Sequence, residues 1–465
     1  MDDGLRPGKS GLSEPRTLVS HPELASRKSF PFFETVGEKP KSALERLLSV
    51  FADVRAGEGV SALLLAAGIL LLLASYSLMK PARDGLITAE SGAEVKSYAS
   101  AAQAVLLMAI VPLYGWLSTR VVRIRLIATM ILFFVATLAT FSVIGQAGVR
   151  VGVPFYIWLG IINFFIVSQF WAFSNDLYTE GEGRRLFPMI GVGQSIGAVV
   201  GSAVVPPLVQ GLDFSPYTLM MVGSIVLLTS LGLLFVVNMR ESRRGDAHAA
   251  ATNAEPLGKE GGFELIFKDR YLLWIAALIL LLNLVNTTGE YLLGKFVVSA
   301  APLDPDARKQ FTTAFFGYNQ TAVNIVGLVL QLFVSSRVIR HLGVRQGLFI
   351  LPVLALMNYS IIALVPIFAI VRIGKVLENS TDYSIQNTVR QALFLPTSRE
   401  AKYKAKAAID TFFARTGDAF SGGLVYLGTL MSASVTAFAW VNVAVCVAWI
   451  AVAARVAKEH RRKTL

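Results

Sequence analysis

The 465-residue sequence predicts an all-α integral membrane protein of about twelve transmembrane helices in two six-helix halves. Three observations carry that prediction. Hydrophobic residues make up 54% of the chain and charged residues only 16%, where soluble proteins average about 25% charged. Apolar runs of the roughly 20 residues that a bilayer core requires recur along the chain. The longest polar break falls near the middle, at 239–270. The same composition argues against a soluble enzyme and a disordered chain, and Cys446, the single cysteine, excludes a disulfide framework.

Residues 1–55 are polar, with Pro and Ser scattered through them and no apolar run of signal-peptide type. They read as a cytoplasmic tail, and the first span as a retained helix. The first half, 56–238, holds apolar runs at 58–79, 98–118, 126–145, 153–174, 189–210 and 217–238. Pro81 is expected to break or kink the helix just past the first run. The stretch 239–270 is rich in Ala, Gly and charge, the composition of a linker. The second half, 271–455, has clear runs at 271–293, 313–335, 346–368 and 431–454. Two less apolar runs complete it: 369–392 carries Arg372, Lys375, Glu378 and Asp382, and 407–429 carries Asp410, Arg415 and Asp418. Residues 456–465 form a basic tail. YGWLSTRVVRIR after the second span echoes FVSSRVIRHLGVR after the eighth, as in transporters built from repeats, whose substrate sites lie between the halves.

The net charge of +12 would raise nucleic-acid binding in a soluble protein. With both termini placed in the cytoplasm, 33 of the 43 lysines and arginines fall on the cytoplasmic side and 7 opposite. That is the bias of a membrane protein, so the surplus requires no nucleic acid. The sequence shows no GxxxxGK[ST] loop, no HExxH and no Cys/His pair at metal spacing, so neither cofactor nor metal is expected. GVGQSIGAVVG, 191–201, superficially resembles a nucleotide fingerprint. Its Gly193, Gly197 and Gly201 recur every four residues, however, which is the small-residue face of packed membrane helices.

Ionisable residues at membrane depth are the remaining candidates. Lys80, Arg83 and Asp84 crowd one turn at the outer end of the first span. They are either a snorkelling helix end with a local Arg83–Asp84 pair or a cationic patch at a cavity mouth. Arg372, Lys375, Glu378 and Asp382 share one helical face, as a salt-bridge network or as a wet pathway. Glu290 either pairs with Lys295 or meets a cation. Lys402, Lys404 and Lys406 form a basic cluster that plain cytoplasmic bias would explain, although Lys406 opens the next span and could reach a cavity.

Two segments point further. SQFWAFSNDLYTEGEGRRLFPMIG, 168–191, carries Phe170, Trp171, Phe173, Asn175, Glu182, Arg185, Phe187 and Pro188 in an ungapped FWxFANQ…EAxRFYP-like pattern. The segment 381–423 matches a KYSxxxPTxExxYIPLxxExKxKGKAAID-like pattern at Tyr383, Ser384, Thr388, Pro396, Glu400, Lys404, Lys406 and Asp410. On these motifs the sequence resembles the ATP/ADP translocase family of plastids and obligate intracellular bacteria, nucleotide transporters of major-facilitator-like architecture. The resemblance places the family's Lys-Asp pair on Arg83 and Asp84, its acid before the fifth helix on Glu182, and its lysine opening the eleventh helix on Lys404 or Lys406. Its seventh-helix acid falls opposite Asn286, with Glu290 one turn later, and Asp382 replaces a lysine before Tyr383, which marks a divergent member.

The resemblance thus implies alternating-access exchange of ATP and ADP across the lipid bilayer. Arg83 and Lys406 would hold phosphates, Arg185 and Lys404 would steer at the mouth, and Asn175, Tyr383 or Trp171 would meet the base or ribose. Glu182 and Asp410 would hold the cations of an empty site. A carrier of another organic anion and a membrane scaffold or sensor that has lost transport are the competing readings.

Overall fold

Apolar residues surround most of these segments on every side, so each can form a helix that buries all its faces in protein or lipid. A helix also satisfies its own backbone polar groups, as a bilayer demands. The computed structural model describes residues 42–48, 54–55, 57–118, 123–178, 180–242, 261–398 and 400–464. These belong to one unit, Lys41–Leu465, and Met1–Pro40 lies outside them. Most of the expected 1–55 tail and 243–260 of the expected linker therefore lie outside the described residues.

The main helices are α1 (Gly59–Ser118), α2 (Arg123–Gln146), α3 (Gly152–Leu177), α4 (Glu180–Ala203) and α5 (Pro216–Ser242), then short α6 (Gly262–Lys268). They continue with α7 (Arg270–Ala300), α8 (Pro305–Leu330), α9 (Ile350–Leu364), α10 (Phe368–Thr381), α11 (Ala414–Leu430) and α12 (Val435–Thr464). No strand occurs among the described residues. Nine helices there are long and apolar enough to cross a membrane. One of the nine, Gly59–Val111, spans 53 residues and turns back within itself. The charged α10 and α11 fall outside the nine, yet they pack within the same bundle. Together these account for about twelve crossings, one for each apolar run.

The first span differs from expectation. Its helix runs through Pro81 without a break, and α1 reverses at Gly92, whose φ of 86° is open to glycine and strained for other residues. Lys80, Arg83 and Asp84 therefore sit inside a helical arm, 59–91, not at its end. Within the 239–270 stretch, α5 continues to Ser242 and α6 begins at Gly262. The expected basic tail, 456–465, continues the helix of α12.

Buried apolar side chains form two large clusters. One draws on residues 65–237 with Ala314, the other on 266–456 with Ala93. Each half of the chain thus builds its own core. Within the first, Gly193, Gly197 and Gly201 face the carbonyl oxygens of Ala66, Leu70 and Ala74 so closely that a Cβ at any of them would collide. The four-residue glycine period is a helix-packing face.

The two bundles meet at the Gly92 end. Thr312 Oγ1 donates to the Gly85 carbonyl at 3.0 Å. Gly294 faces Ala93, Gly317 faces Pro206, and Lys295 pairs with Glu94 at 2.7 Å. Away from that end the bundles diverge around a cavity.

Candidate functional site

The cavity measures about 840 Å³ and is walled by both bundles, within the range that holds drug-sized ligands. The first bundle contributes Tyr76, Ser77 and Lys80 from α1, Asn163 from α3 and Gln194 from α4. The second contributes Gln320 and Asn324 from α8, then Gln331, Tyr383, Lys406 and Asp410. Lys80 Nζ donates to Gln320 Oε1 across the interface. Gln320 in turn donates to Asn324 at 2.9 Å, and Asn324 to the Ala198 carbonyl at 2.8 Å. Each bundle thus presents one lysine and several amides to the same space.

Three of the last four polar positions share a backbone feature. Gln331, Tyr383 and Asp410 each lie in a π-helical turn, in Gln331–Ser335, Asp382–Gln386 and Ile409–Phe413 respectively. Such a turn inserts one residue into the helix and re-aims side chains, and it recurs at functional sites. Lys406 Nζ pairs with Asp410 Oδ2 at 2.7 Å, one helical turn away. The other carboxylate oxygen, Oδ1, is buried with no hydrogen-bond partner among the described residues.

Beyond the cavity, towards Gly92, runs a buried chain of alternating charge. Arg83 pairs with Asp84 at 2.8 Å and stacks 4.3 Å over the Tyr156 ring. Lys96 lies 4.0 Å from Asp84 and 3.7 Å from Glu290. Lys375 lies 3.8 Å from Glu290 and 3.0 Å from Glu378, and Tyr359 donates to Glu378 at 2.8 Å. Asn379 donates to Glu290 at 2.9 Å. Each charge has an opposite neighbour, the condition under which buried ions are tolerated. Lys96 is the link between bundles, because Asp84 and Glu290 belong to different halves.

The residues singled out in the sequence fall in different places. Lys406, Asp410 and Tyr383 line the cavity. Arg83, Asp84, Glu290 and Lys375 belong to the charge chain and are absent from the cavity wall, which Lys80, one turn before Arg83, does line. Arg372, expected on the same face, stacks 5.2 Å from the Phe315 ring. Asn175 is exposed near the end of α3, Glu182 is half-buried in the first turn of α4, and Lys404 is half-buried in the π turn Ala401–Ala405. Arg185 grips both oxygens of Glu58, at 2.8 and 3.0 Å, and so ties the start of α4 to the start of α1. Burial would raise the Glu58 carboxyl, but the Arg185 bonds and the Arg55 N–H outweigh it and hold the group below its usual range.

Lys80 was visible beside Arg83, but its role was not. Lys96 lies outside every apolar run, among the 7 cations counted opposite the cytoplasm. Gln320 and Asn324, four residues apart in a run that also holds Asn319 and Gln331, are the sequence signal for the second wall.

Two helical bundles with a polar cavity between them define a multi-pass membrane transporter fold. Solved structures share it: the nucleoside transporter NupG superposes with a TM-score of 0.61 at 14% identity, covering 84% of this chain and 98% of that one. A POT family transporter gives 0.64 at 14% identity, covering 87% and 96%. The TLC ATP/ADP transporter family matches residues 155–460, more than half of the chain. The chain belongs to that family. It is 25% identical over 303 residues to ADP,ATP carrier protein 1 of Chlamydia muridarum, covering 57% of this chain and 55% of that protein's length. ADP,ATP carrier protein 2 of Chlamydia pneumoniae is 23% identical over 480 residues, covering 83% and 86%. ADP,ATP carrier protein 5 of Rickettsia bellii is 24% identical over 347 residues, covering 64% and 68%.

Proposed function

We propose that the protein exchanges nucleotides, ATP against ADP, across a membrane by alternating access. The observation that carries the reading is the pair Lys80 and Lys406, one from each bundle, facing a single amide-lined cavity. A phosphate chain entering a low-dielectric site needs cations around it. Lys80 meets it with a hydrogen bond to neutral Gln320, so an incoming phosphate displaces no carboxylate there. Lys406 must leave Asp410, so the substrate takes the place of an internal ion pair. Tyr76 and Tyr383 offer aromatic faces for a base, and the amides offer donors and acceptors for its edge.

The lysine and arginine bias supports a cavity open to the cytoplasm with both termini on that side, and the proposal places the chain in a bacterial inner membrane. The contacts at the Gly92 end then form the closed outer gate. Opening that gate separates Lys96 from Glu290 and Lys295 from Glu94, and substrate bound between the bundles favours the rocking motion that does so.

Uptake of labelled ATP into liposomes preloaded with ADP tests the reading. A second organic anion of lower charge is favoured by one observation: with Lys406 held by Asp410, Lys80 is the cation in the described cavity wall without a carboxylate partner. Competition by nucleoside monophosphates and by simple organic anions separates the two readings.

A further inference from the structure

A second concave site lies away from the cavity, where α7 begins and α12 ends. It is a groove of about 390 Å³ between the two helices. Arg270 and Trp274, one turn apart, form one wall, and Arg455, Lys458 and Arg462 recur on one face of α12 to form the other. Glu459, the carboxylate in the groove, is held by Arg462 at 2.7 Å. No carboxylate pairs with Arg270, Arg455 or Lys458 among the described residues. Lys463 bonds to Asp269 at 2.7 Å and fastens the two helices beside the groove.

Depth distinguishes this cluster from a scattered cytoplasmic bias. At 1.5 Å per residue, Arg455 lies about 30 Å and Arg462 about 40 Å along α12 from Val435. A hydrocarbon core is about 30 Å thick, so the cations stand in the headgroup layer. One turn deeper along α7 are Leu273, 38% exposed, and half-buried Trp274. Basic residues at headgroup depth above an exposed leucine and a tryptophan match a lipid from phosphate to acyl chain.

We propose that this groove binds an anionic phospholipid of the surrounding bilayer. Its phosphate lies among Arg270, Arg455 and Lys458, and its first acyl segment lies along Leu273 and Trp274. Four cations against one carboxylate favour a headgroup with two phosphates over one with a single phosphate.

Purified full-length protein is titrated with diphosphatidylglycerol, phosphatidylglycerol or phosphatidylcholine, and separately with ADP and with inorganic phosphate, reading bound lipid by native mass spectrometry and stability by thermal shift. The expected order is diphosphatidylglycerol, then phosphatidylglycerol, with phosphatidylcholine inert. Arg455→Gln with Lys458→Gln weakens lipid binding roughly five-fold per cation removed and leaves the ADP response unchanged. Glu459→Gln removes the repelling charge and tightens lipid binding, so the proposal stays testable if the double variant folds poorly. Equal lipid binding by wild type and both variants overturns the proposal. So does loss of the inorganic phosphate response in the double variant with its lipid binding intact, since the groove would then serve a soluble anion.

Discussion

Lys80 and Arg83 are one turn apart, both basic, and opposite in circumstance. Lys80 bonds to a neutral amide at the cavity, while Arg83 is locked to Asp84 with both side chains 9% exposed. Their alanine variants therefore separate. Lys80→Ala weakens nucleotide-dependent thermal stabilisation about ten-fold or more, as loss of a charge-assisted contact of about 1.5–3 kcal/mol implies, and leaves the unliganded protein near wild-type stability. Arg83→Ala leaves the buried Asp84 carboxylate with only Lys96, at 4.0 Å, and costs about 3 kcal/mol of unliganded stability. Identical behaviour of the two variants would contradict the division drawn between cavity and charge chain. The clamp between Arg185 and Glu58 gives a pH signature. The folded-state carboxyl is lowered, so its contribution is present above the usual 4.5 and is lost as pH falls through and below that value. The gap in melting temperature between wild type and Arg185→Gln is largest at neutral pH, where it reflects about 2 kcal/mol, and narrows on acidification. A gap independent of pH would mean that the arginine acts through packing. At this scale the sequence is legible in residue type and not in partner: it shows which charges lie at membrane depth but cannot tell Lys80 from Arg83, because both lie on a helix whose rotation only packing decides.

At the scale of the helix, the apolar runs located nearly every crossing, and their ends moved for local reasons. Pro81 did not end the first span, because a continuous helix can absorb one missing N–H when neighbouring helices enclose it. Gly92 ended it instead, at a left-handed backbone angle. The glycine face of α4 was readable directly, since a four-residue period of small residues has little other use in a membrane helix. Gly197→Val drives a side chain into the Leu70 carbonyl and destabilises the protein by about 1–3 kcal/mol or more. Gly191→Ala, with open space around it, leaves stability unchanged or raises it by up to about 1 kcal/mol. Thermal melts of the two variants in detergent check the contrast, and equal melts would refute the close contact of α4 with α1. The π turns that aim Gln331, Tyr383 and Asp410 into the cavity left no mark in the sequence, because one inserted residue shifts the helical register locally without any change in composition.

Across the whole molecule, two cores, a shared cavity and a charge chain that bridges the halves are the parts that the proposed exchange requires. Closure at the Gly92 end rests on groups that lie in different bundles, Lys96 with Glu290 and Lys295 with Glu94, so the state of that end reports the relative position of the halves. If the exchanged nucleotides differ in charge, each net charge moved couples to membrane voltage at about 2.3 kcal/mol per 100 mV. The division into halves was legible from the polar break at 239–270. The cavity was not, because it is assembled from side chains more than 200 residues apart. The most direct test of the central claim is exchange of labelled ATP into ADP-loaded liposomes by wild type and by Lys406→Ala. The account predicts ADP-dependent uptake by wild type and its reduction about ten-fold or more in the variant. Uptake by folded wild type no greater than by protein-free liposomes, or transport untouched by loss of Lys406, would contradict it.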